Sequence, residues 1–390
     1  MKITAVETLV CSGGWRPWMF VKITTDSGPV GYSECSDSFG SNAAIAAAVK
    51  ELGATLVGTD PRPVERIYWD LYRISRQSAG GPVQKAIAGI ENALLDIKAK
   101  DLGVPVYALL GGPLRSSLRV YWSHCGSTRV RSAKHIGKAA LRTYDDVAAL
   151  GSEVKKAGYT ALKTNLLLLE KEPAVIMQGY RGPPGSAALA LDLGVIRQID
   201  ALLRAFRAGA GPDVDIMLDL NSHFRADASL RLAEALESHE LAWVEIDSLD
   251  PVALRDLKDK LSTPIASGEN LGGPRGYRPF LEARSQDVVV IDVPWNGLLQ
   301  SRKIADMAET FDMNVAPHNH YSALATLISA HFCMATANAP ILEVDVDDVP
   351  WRDQIVTRAP VMRDGYLTVP DGPGWGAEVD EAVVRAHPWP

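Results

Sequence analysis

The sequence predicts an α/β barrel preceded by a separate α+β region, and three observations carry that prediction. Short apolar runs end in acids: Ile216-Met217-Leu218-Asp219, Ala242-Trp243-Val244-Glu245 and Pro264-Ile265-Ala266-Ser267-Gly268-Glu269. Those acids stand 26 and 24 residues apart, about one strand-plus-helix unit. The rhythm then continues through Asp287–Asp292, Met313–His318 and Pro340–Glu343, each ending in a residue able to hold a metal or carry a proton. A residue that ends a barrel strand sits at the mouth where barrel enzymes keep their chemistry. A lone strand-end acid is as often a helix N-cap or a solvated turn residue; three in register favour convergence. Crowded carboxylates repel unless a cation lies between them, and an all-oxygen set suits Mg²⁺.

The 390-residue chain is 47% hydrophobic and 22% charged, ordinary for a globular protein with a core that needs no staples. A net charge of −7 argues against an electrostatic hold on nucleic acid or an acidic membrane surface. Cys11, Cys35, Cys125 and Cys333 have no paired spacing, so neither a zinc motif nor a disulfide framework is implied. The first residues read as a strand rather than an export signal. No apolar stretch is long enough to span a bilayer, and a cytoplasmic location is expected.

Residues 1 to about 40 read as strands, with Phe20–Thr25 alternating, Asp26-Ser27-Gly28-Pro29 turning and Val30–Glu34 returning. Between the first two strands, Gly13-Gly14-Trp15-Arg16-Pro17-Trp18 reads either as a cover over a polar ligand or as rings packed beneath a loop. Helices are expected over Ala43–Leu56, Pro61–Tyr72 and Pro82–Lys100, the last stopped by Gly103. Strands followed by helices describe an α+β unit ending near residue 116. From Leu118 strands and helices alternate: a strand at Leu118–Trp122, a helix at Tyr144–Ala157, a strand at Tyr159–Lys163 and a helix at Leu193–Ala208. The segment from about Leu166 to Ser186, with Arg181–Gly185 near its end, has the length of a functional lid or a disordered loop. The turn-rich stretch from about Trp351 is expected to pack back on the first unit.

These residues resemble the enolase superfamily, in its mandelate racemase and muconate lactonising enzyme branch. The likeness covers nearly the whole chain, including the linker from Ala93 to Gly112. It implies a modified TIM barrel, (β/α)₇β, at 117–355, with an N-terminal α+β capping domain at 1–116 completed by about 356–390. It also implies one Mg²⁺ held by Asp219, Glu245 and Glu269, with the substrate carboxylate against it. A base then removes the neighbouring proton, and positioned charge makes the resulting dianion tolerable. Residue by residue, Asp292 and His318 match a His–Asp dyad, the aspartate orienting the imidazole. Glu343 matches a position that contacts the substrate carboxylate or enediolate. Asn221 matches a polar substrate or metal-shell position.

The second strand departs from the pattern. Many relatives end it in Lys-x-Lys with the second lysine as a base, whereas here it reads Lys163-Thr164-Asn165. Asparagine cannot be a base, so a single-base sugar-acid dehydratase, in which His318 takes the α-proton and then protonates the departing β-hydroxyl, is preferred over a two-base racemase or epimerase using Lys163. A non-catalytic metal-binding relative and a metal hydrolase are further readings. Asn165, Asn221, His223, His320, Trp15 and Arg16 are the expected substrate contacts; His223 reads either as an acid for the leaving group or as a loop histidine, and His320 is a rival to His318. The acids after Glu343, namely Asp345, Asp347 and Asp348, read as solvated loop residues. The expected partners are a small sugar acid or hydroxy acid and further copies of the chain, with no nucleic acid or membrane.

Overall fold

The computed structural model describes residues 1–38, 41–78, 80–176, 191–221 and 224–390. An antiparallel sheet comes first: β1 (Ile3–Ser12), β2 (Pro17–Thr25) and β3 (Val30–Glu34), with Cys11 opposite Trp18 and Phe20 opposite Glu34. Helices α1 (Asn42–Ala54), α2 (Val64–Ile74) and α3 (Gly81–Leu102) follow. α3 is apolar around most of its girth because it is buried between the small sheet and the rest of the chain. A side chain at Gly31 would meet the Ala93 carbonyl at 2.1 Å, so only glycine lets sheet and helix approach this closely. Gly103, at φ 69°, ends α3 in the left-handed conformation that glycine adopts without penalty.

The second sheet contains β4 (Leu118–Ser123), β5 (Ala161–Leu168), β6 (Ala174–Ile176), β7 (Asp215–Asp219), β8 (Trp243–Glu245), β9 (Ile265–Ser267), β10 (Val288–Asp292), β11 (Asn314–His318), β12 (Leu342–Asp345), β13 (Val361–Arg363) and β14 (Tyr366–Thr368). Its parallel part runs β12-β4-β5-β7-β8-β9-β10-β11, while β6 and the β13–β14 hairpin join antiparallel. The fold is therefore α/β with a mixed, mostly parallel sheet. Helices between the strands start on recognisable caps: Thr143 and Asp146 form a capping box for Tyr144–Lys156. Asp192 and Asp250 accept from the first turns of Leu193–Ala210 and Pro251–Lys258.

Eight side chains form a small apolar cluster apart from the main core: Tyr121, Ala161, Met217, Trp243, Ala266, Val290, Ala316 and Ile341. They come from β4, β5, β7, β8, β9, β10 and β11, with Ile341 just before β12. The Tyr121 and Trp243 rings meet edge to face at 5.8 Å although β5 and β7 lie between their strands. The sheet is therefore strongly curled around this cluster.

Full closure by a strand ladder, as the sequence predicts, is not observed: among the described residues no ladder joins β11 to β12. Val315 gives its N–H to Asn338 ahead of β12, and Pro317 has none to give. Asn319 bridges the seam instead, its backbone N–H and side-chain amide both donating to Glu343.

The second parallel strand also runs further than expected. Leu166, Leu167 and Leu168 pair with Ile176, Val175 and Ala174, so the start of the long segment is a hairpin. The rest of that segment, including Arg181–Gly185, lies outside the described residues. The C-terminal stretch contacts both sheets. Trp375 donates to the Tyr32 carbonyl (2.7 Å), the Ser12 N–H donates to the His387 carbonyl, and β14 pairs with β4. All four cysteines are buried and free. Among the described residues no helix is long and apolar enough to cross a membrane.

Candidate active site

Parallel strands put the ends of successive strands side by side, and register brings the polar residues together here. Asn165 lies beside Asp219, Asp219 beside Glu245, and Asp292 beside His318. Glu245, Asp247 and Glu269 each bring an oxygen within 4.8 Å of the others'. Asp219 is next to this group but turned to its neighbours. Its Oδ1 accepts from the Asn221 N–H (2.7 Å), and Oδ2 accepts from the amides of Asn221 (2.8 Å) and Asn165 (3.2 Å).

Asp247 was not singled out from the sequence. Its signal was local: two residues past Glu245 in an extended chain, it returns to the same side. Burial pushes the acids upward, Glu245 to about 8 and Glu269 to about 7, with the neighbouring carboxylates adding to the push. Asp247 is also raised, by burial and by the charges of Glu269 and Asp219. Glu245 Oε1 is buried without a hydrogen-bond partner.

Lys163 reaches into this cluster. Its Nζ is 2.7 Å from Glu245 Oε2, 3.0 Å from Glu343 Oε1 and 3.9 Å from Asp219 Oδ2. Burial works against its charge, yet Glu245 and Glu343 hold it firmly protonated. Glu343 is kept ionised at about 2 against its burial by Lys163 and the nearby histidines. It also accepts from Ser123 Oγ and from the Asn319 N–H (2.7 Å).

The dyad lies across the cluster. His318 Nδ1 is 2.7 Å from Asp292 Oδ2, and Nε2 is 3.3 Å from Glu269 Oε2. Asp292 is further fixed by Tyr321 Oη (2.6 Å) and by the Trp295 N–H (2.8 Å), so its carboxylate cannot turn away. Burial opposes charge on His318, but Glu269 and Asp292 outweigh it and raise the imidazole to about 10. His320 is the opposite case: burial and the neighbouring His318 hold it neutral, well below the usual histidine range. Its Nδ1 is 3.0 Å from His318 Nε2, and its Nε2 is 2.7 Å from Ser38 Oγ of the small-sheet region.

The loop after β1 covers this end of the sheet. Trp15 stacks on His320 at 6.3 Å, and both Arg16 and Arg131 lie over its indole. Trp18, however, is a core residue beneath the loop; a side chain at Gly13 would strike its ring at 2.6 Å. Arg16 is buried and pairs with Asp348 (2.9 Å) and Asp345 (3.4 Å) while Nε donates to the His320 carbonyl. The expectation of solvated acids after Glu343 is thus corrected: Asp345, Asp347 and Asp348 are buried, because arginines neutralise them. Asp347 is held by Arg129 (2.7 Å), and Asp348 lies 3.6 Å from Arg352 as well. Asp345 is also 2.8 Å from His124 Nδ1. His124, just past β4, was missed although it obeys the same strand-end logic. His223 lies outside the described residues.

Two family models match the chain: mandelate racemase / muconate lactonizing enzyme, N-terminal domain, over 3–111, and enolase C-terminal domain-like over 146–383. The chain belongs to the enolase superfamily.

Within that superfamily it is 30% identical to the D-xylonate dehydratase of Haloferax volcanii, across 99% of this chain and 89% of that one. It is 31% identical to the D-galactonate dehydratase of Ralstonia nicotianae, across 98% and 94%. Among solved structures, a Burkholderia xenovorans protein named for L-alanine-DL-glutamate epimerase, bound to magnesium and fumarate, superposes with a TM-score of 0.96. It is 42% identical, over 99% of this chain and 96% of that one.

Proposed function

We propose that this superfamily member dehydrates a sugar acid to a 2-keto-3-deoxy acid, beginning with removal of the proton α to the carboxylate. The observation that carries the reading is the His318–Asp292 dyad facing the acid cluster, with Asn165 and an ion-paired Lys163 on the other side. Once Glu269 is taken up by a cation, the main charge that keeps His318 protonated is withdrawn, and its neutral Nε2 would take the α-proton. Asp292, held by Tyr321 and Trp295, would keep Nδ1 protonated and stabilise the imidazolium. Lys163 is spent on Glu245 and Glu343, which leaves no lone pair for a second base.

The donor set fits a hard divalent cation. Three carboxylates converge, and the partnerless Glu245 Oε1 is the kind of buried atom that a metal satisfies. Mg²⁺ would be held by Asp219, Glu245 and Glu269, with Asp247 beside them, and would offset the negative charge that develops on the substrate carboxylate. Glu343 and Asn221 would border the substrate, with Asn165 holding Asp219 and Asn221 in place. Trp15 and His320 would set which hydroxyl pattern fits, and Arg16 would anchor the covering loop.

The same reading closes the curled sheet as a (β/α)₇β barrel, supported by the eight-residue inner cluster with a contribution from each parallel run. It divides the chain near residue 116, in line with separate family matches over 3–111 and 146–383. Epimerisation is the second reading, favoured by the name of the 42% identical neighbour. The deciding experiment incubates D-xylonate, D-galactonate and a wider mono- and diacid sugar library with Mg²⁺ and assays 2-keto product. Absence of product from every acid, with inversion at Cα of any of them, would replace dehydration by epimerisation.

A further inference from the structure

Loss of water from a sugar acid needs an acid as well as a base, because hydroxide is a poor leaving group. Among the groups already described, Lys163 is saturated by carboxylates and His320 is kept neutral. The position two residues past Asp219 is an asparagine whose amide is turned to Asp219. Among the described residues, one further imidazole stands at this end of the sheet. His124 follows β4 directly, and its Nδ1 is fixed on Asp345 at 2.8 Å, just as the His318 Nδ1 is fixed on Asp292.

Nε2 of His124 makes no hydrogen bond among the described residues, and the side chain keeps 11% of its surface. The ring meets His320 edge to face at 5.6 Å, and His320 in turn touches His318. Backbone φ at His124 is +45°, a left-handed conformation that costs a non-glycine residue energy. Such strain is kept where a side chain has to be aimed.

We infer that His124, positioned by Asp345, is the general acid that protonates the departing β-hydroxyl. This rests on the dehydration reading above. As His318 takes the α-proton, the C–H electron pair enters the enediolate. Its collapse forms the Cα–Cβ double bond and breaks the Cβ–O bond. The oxygen leaves with that electron pair and the proton from His124 Nε2, as water. The enol then gains a proton at Cβ from His318 and gives up its hydroxyl proton, which restores His124 through solvent. The sum is acid to 2-keto-3-deoxy acid plus water, with no outside reagent.

Asp345 also meets Arg16, so the covering loop and the acid share one carboxylate. Arg16 thereby ties placement of the acid to the seating of the loop.

The test compares two reactions in D₂O with Mg²⁺, using whichever sugar acid the wild-type chain dehydrates. His124→Asn should lower dehydration by about 10²–10⁴-fold, the usual contribution of a general acid, while deuterium still enters at Cα of recovered substrate. The analogue carrying fluoride at the β-carbon needs no protonated leaving group, so the variant should eliminate it at close to the wild-type rate. Asp345→Asn should show the same pattern more weakly, since it acts through His124. Dehydration at the wild-type rate in His124→Asn would overturn the inference. Parallel loss of exchange, dehydration and fluoride elimination would overturn it too, by making the residue merely structural. If the wild-type chain dehydrates nothing, the functional reading fails first, and the two failures are told apart.

Discussion

Two sets of carboxylates in this molecule have different surroundings. Against the small sheet and α3, Glu34, Glu91 and Asp96 are all buried, yet each is met by donors built for it. Glu34 accepts from Ser36 Oγ (2.6 Å), from Ser322 and from the Ala325 N–H. Glu91 accepts from the Leu299 N–H (2.8 Å) at the start of helix Leu298–Glu309. Asp96 accepts from the N–H groups of Tyr32 and Trp375 and pairs with Lys100. At the strand ends, Glu245, Asp247 and Glu269 also face one another: Lys163, the Gly268 N–H and His318 each meet one of them, but Glu245 Oε1 has no partner. Burial alone therefore does not mark a functional acid; convergence of several acids on one another does.

The largest effect expected is at the base. His318→Asn should cut turnover by about 10²–10⁴-fold or more while Mg²⁺ binding persists. Substrate recovered from D₂O should keep its configuration at Cα even where deuterium has entered. An inverted epimer whose formation depends on Lys163 would instead make that lysine a second base.

Glu245→Gln addresses the contrast directly. It removes one of three crowded charges, so most bound Mg²⁺ should disappear from a calorimetric titration, and the Mg²⁺-dependent rise in melting temperature with it. The metal-free variant should melt no lower than the metal-free parent, because repulsion between the acids is relieved. Unchanged affinity would remove Glu245 from the metal set.

Asp96→Asn should do the reverse. Breaking its pair with Lys100 and weakening two backbone contacts should cost about 1–3 kcal/mol, read as a lower denaturation midpoint. Mg²⁺ affinity and Cα exchange should stay as in the parent, and a loss of either would blur the distinction between the two sets.

A last effect is in the pH dependence of stability. Burial raises Glu91 to about 8, so the folded chain keeps its proton over a range in which the unfolded chain, near 4.5, has lost it. Stability contributed by Glu91 is therefore complete below about 4.5 and lost as pH rises through about 8. Glu91→Gln retains an acceptor for the Leu299 N–H and should flatten that decline in melts between pH 5 and 8. An unaltered slope would mean that Glu91 is ionised in the folded chain throughout.

Much of the site's layout was legible in the chain because strand ends announce themselves. Asp219, Glu245, Asp292 and His318 each close a parallel strand, as apolar runs closed by polar residues imply, while Glu343 lies two residues before the end of β12. Asp247 and His124 escaped notice because each follows another polar residue at its strand's end, Glu245 and Ser123 respectively, which closes the apolar run before it. Asp345, Asp347 and Asp348 misled because their neutralising arginines, Arg16, Arg129 and Arg352, are distant or unremarkable in sequence.

Periodicity, punctuation by glycine and proline, and the spacing of the acids determined that the chain would alternate strands with helices and line up polar residues at one end of a parallel sheet. These are local properties, set by which side chains can lie on a strand and which can end it. The tertiary structure alone decided which buried acids find donors and which are left facing each other. It also decided that Lys163 is tied up in ion pairs and that Arg16 is joined to Asp345 across 329 residues of chain. A charge in a protein interior is governed by what lies within a few ångströms of it, and sequence separation says nothing about that distance.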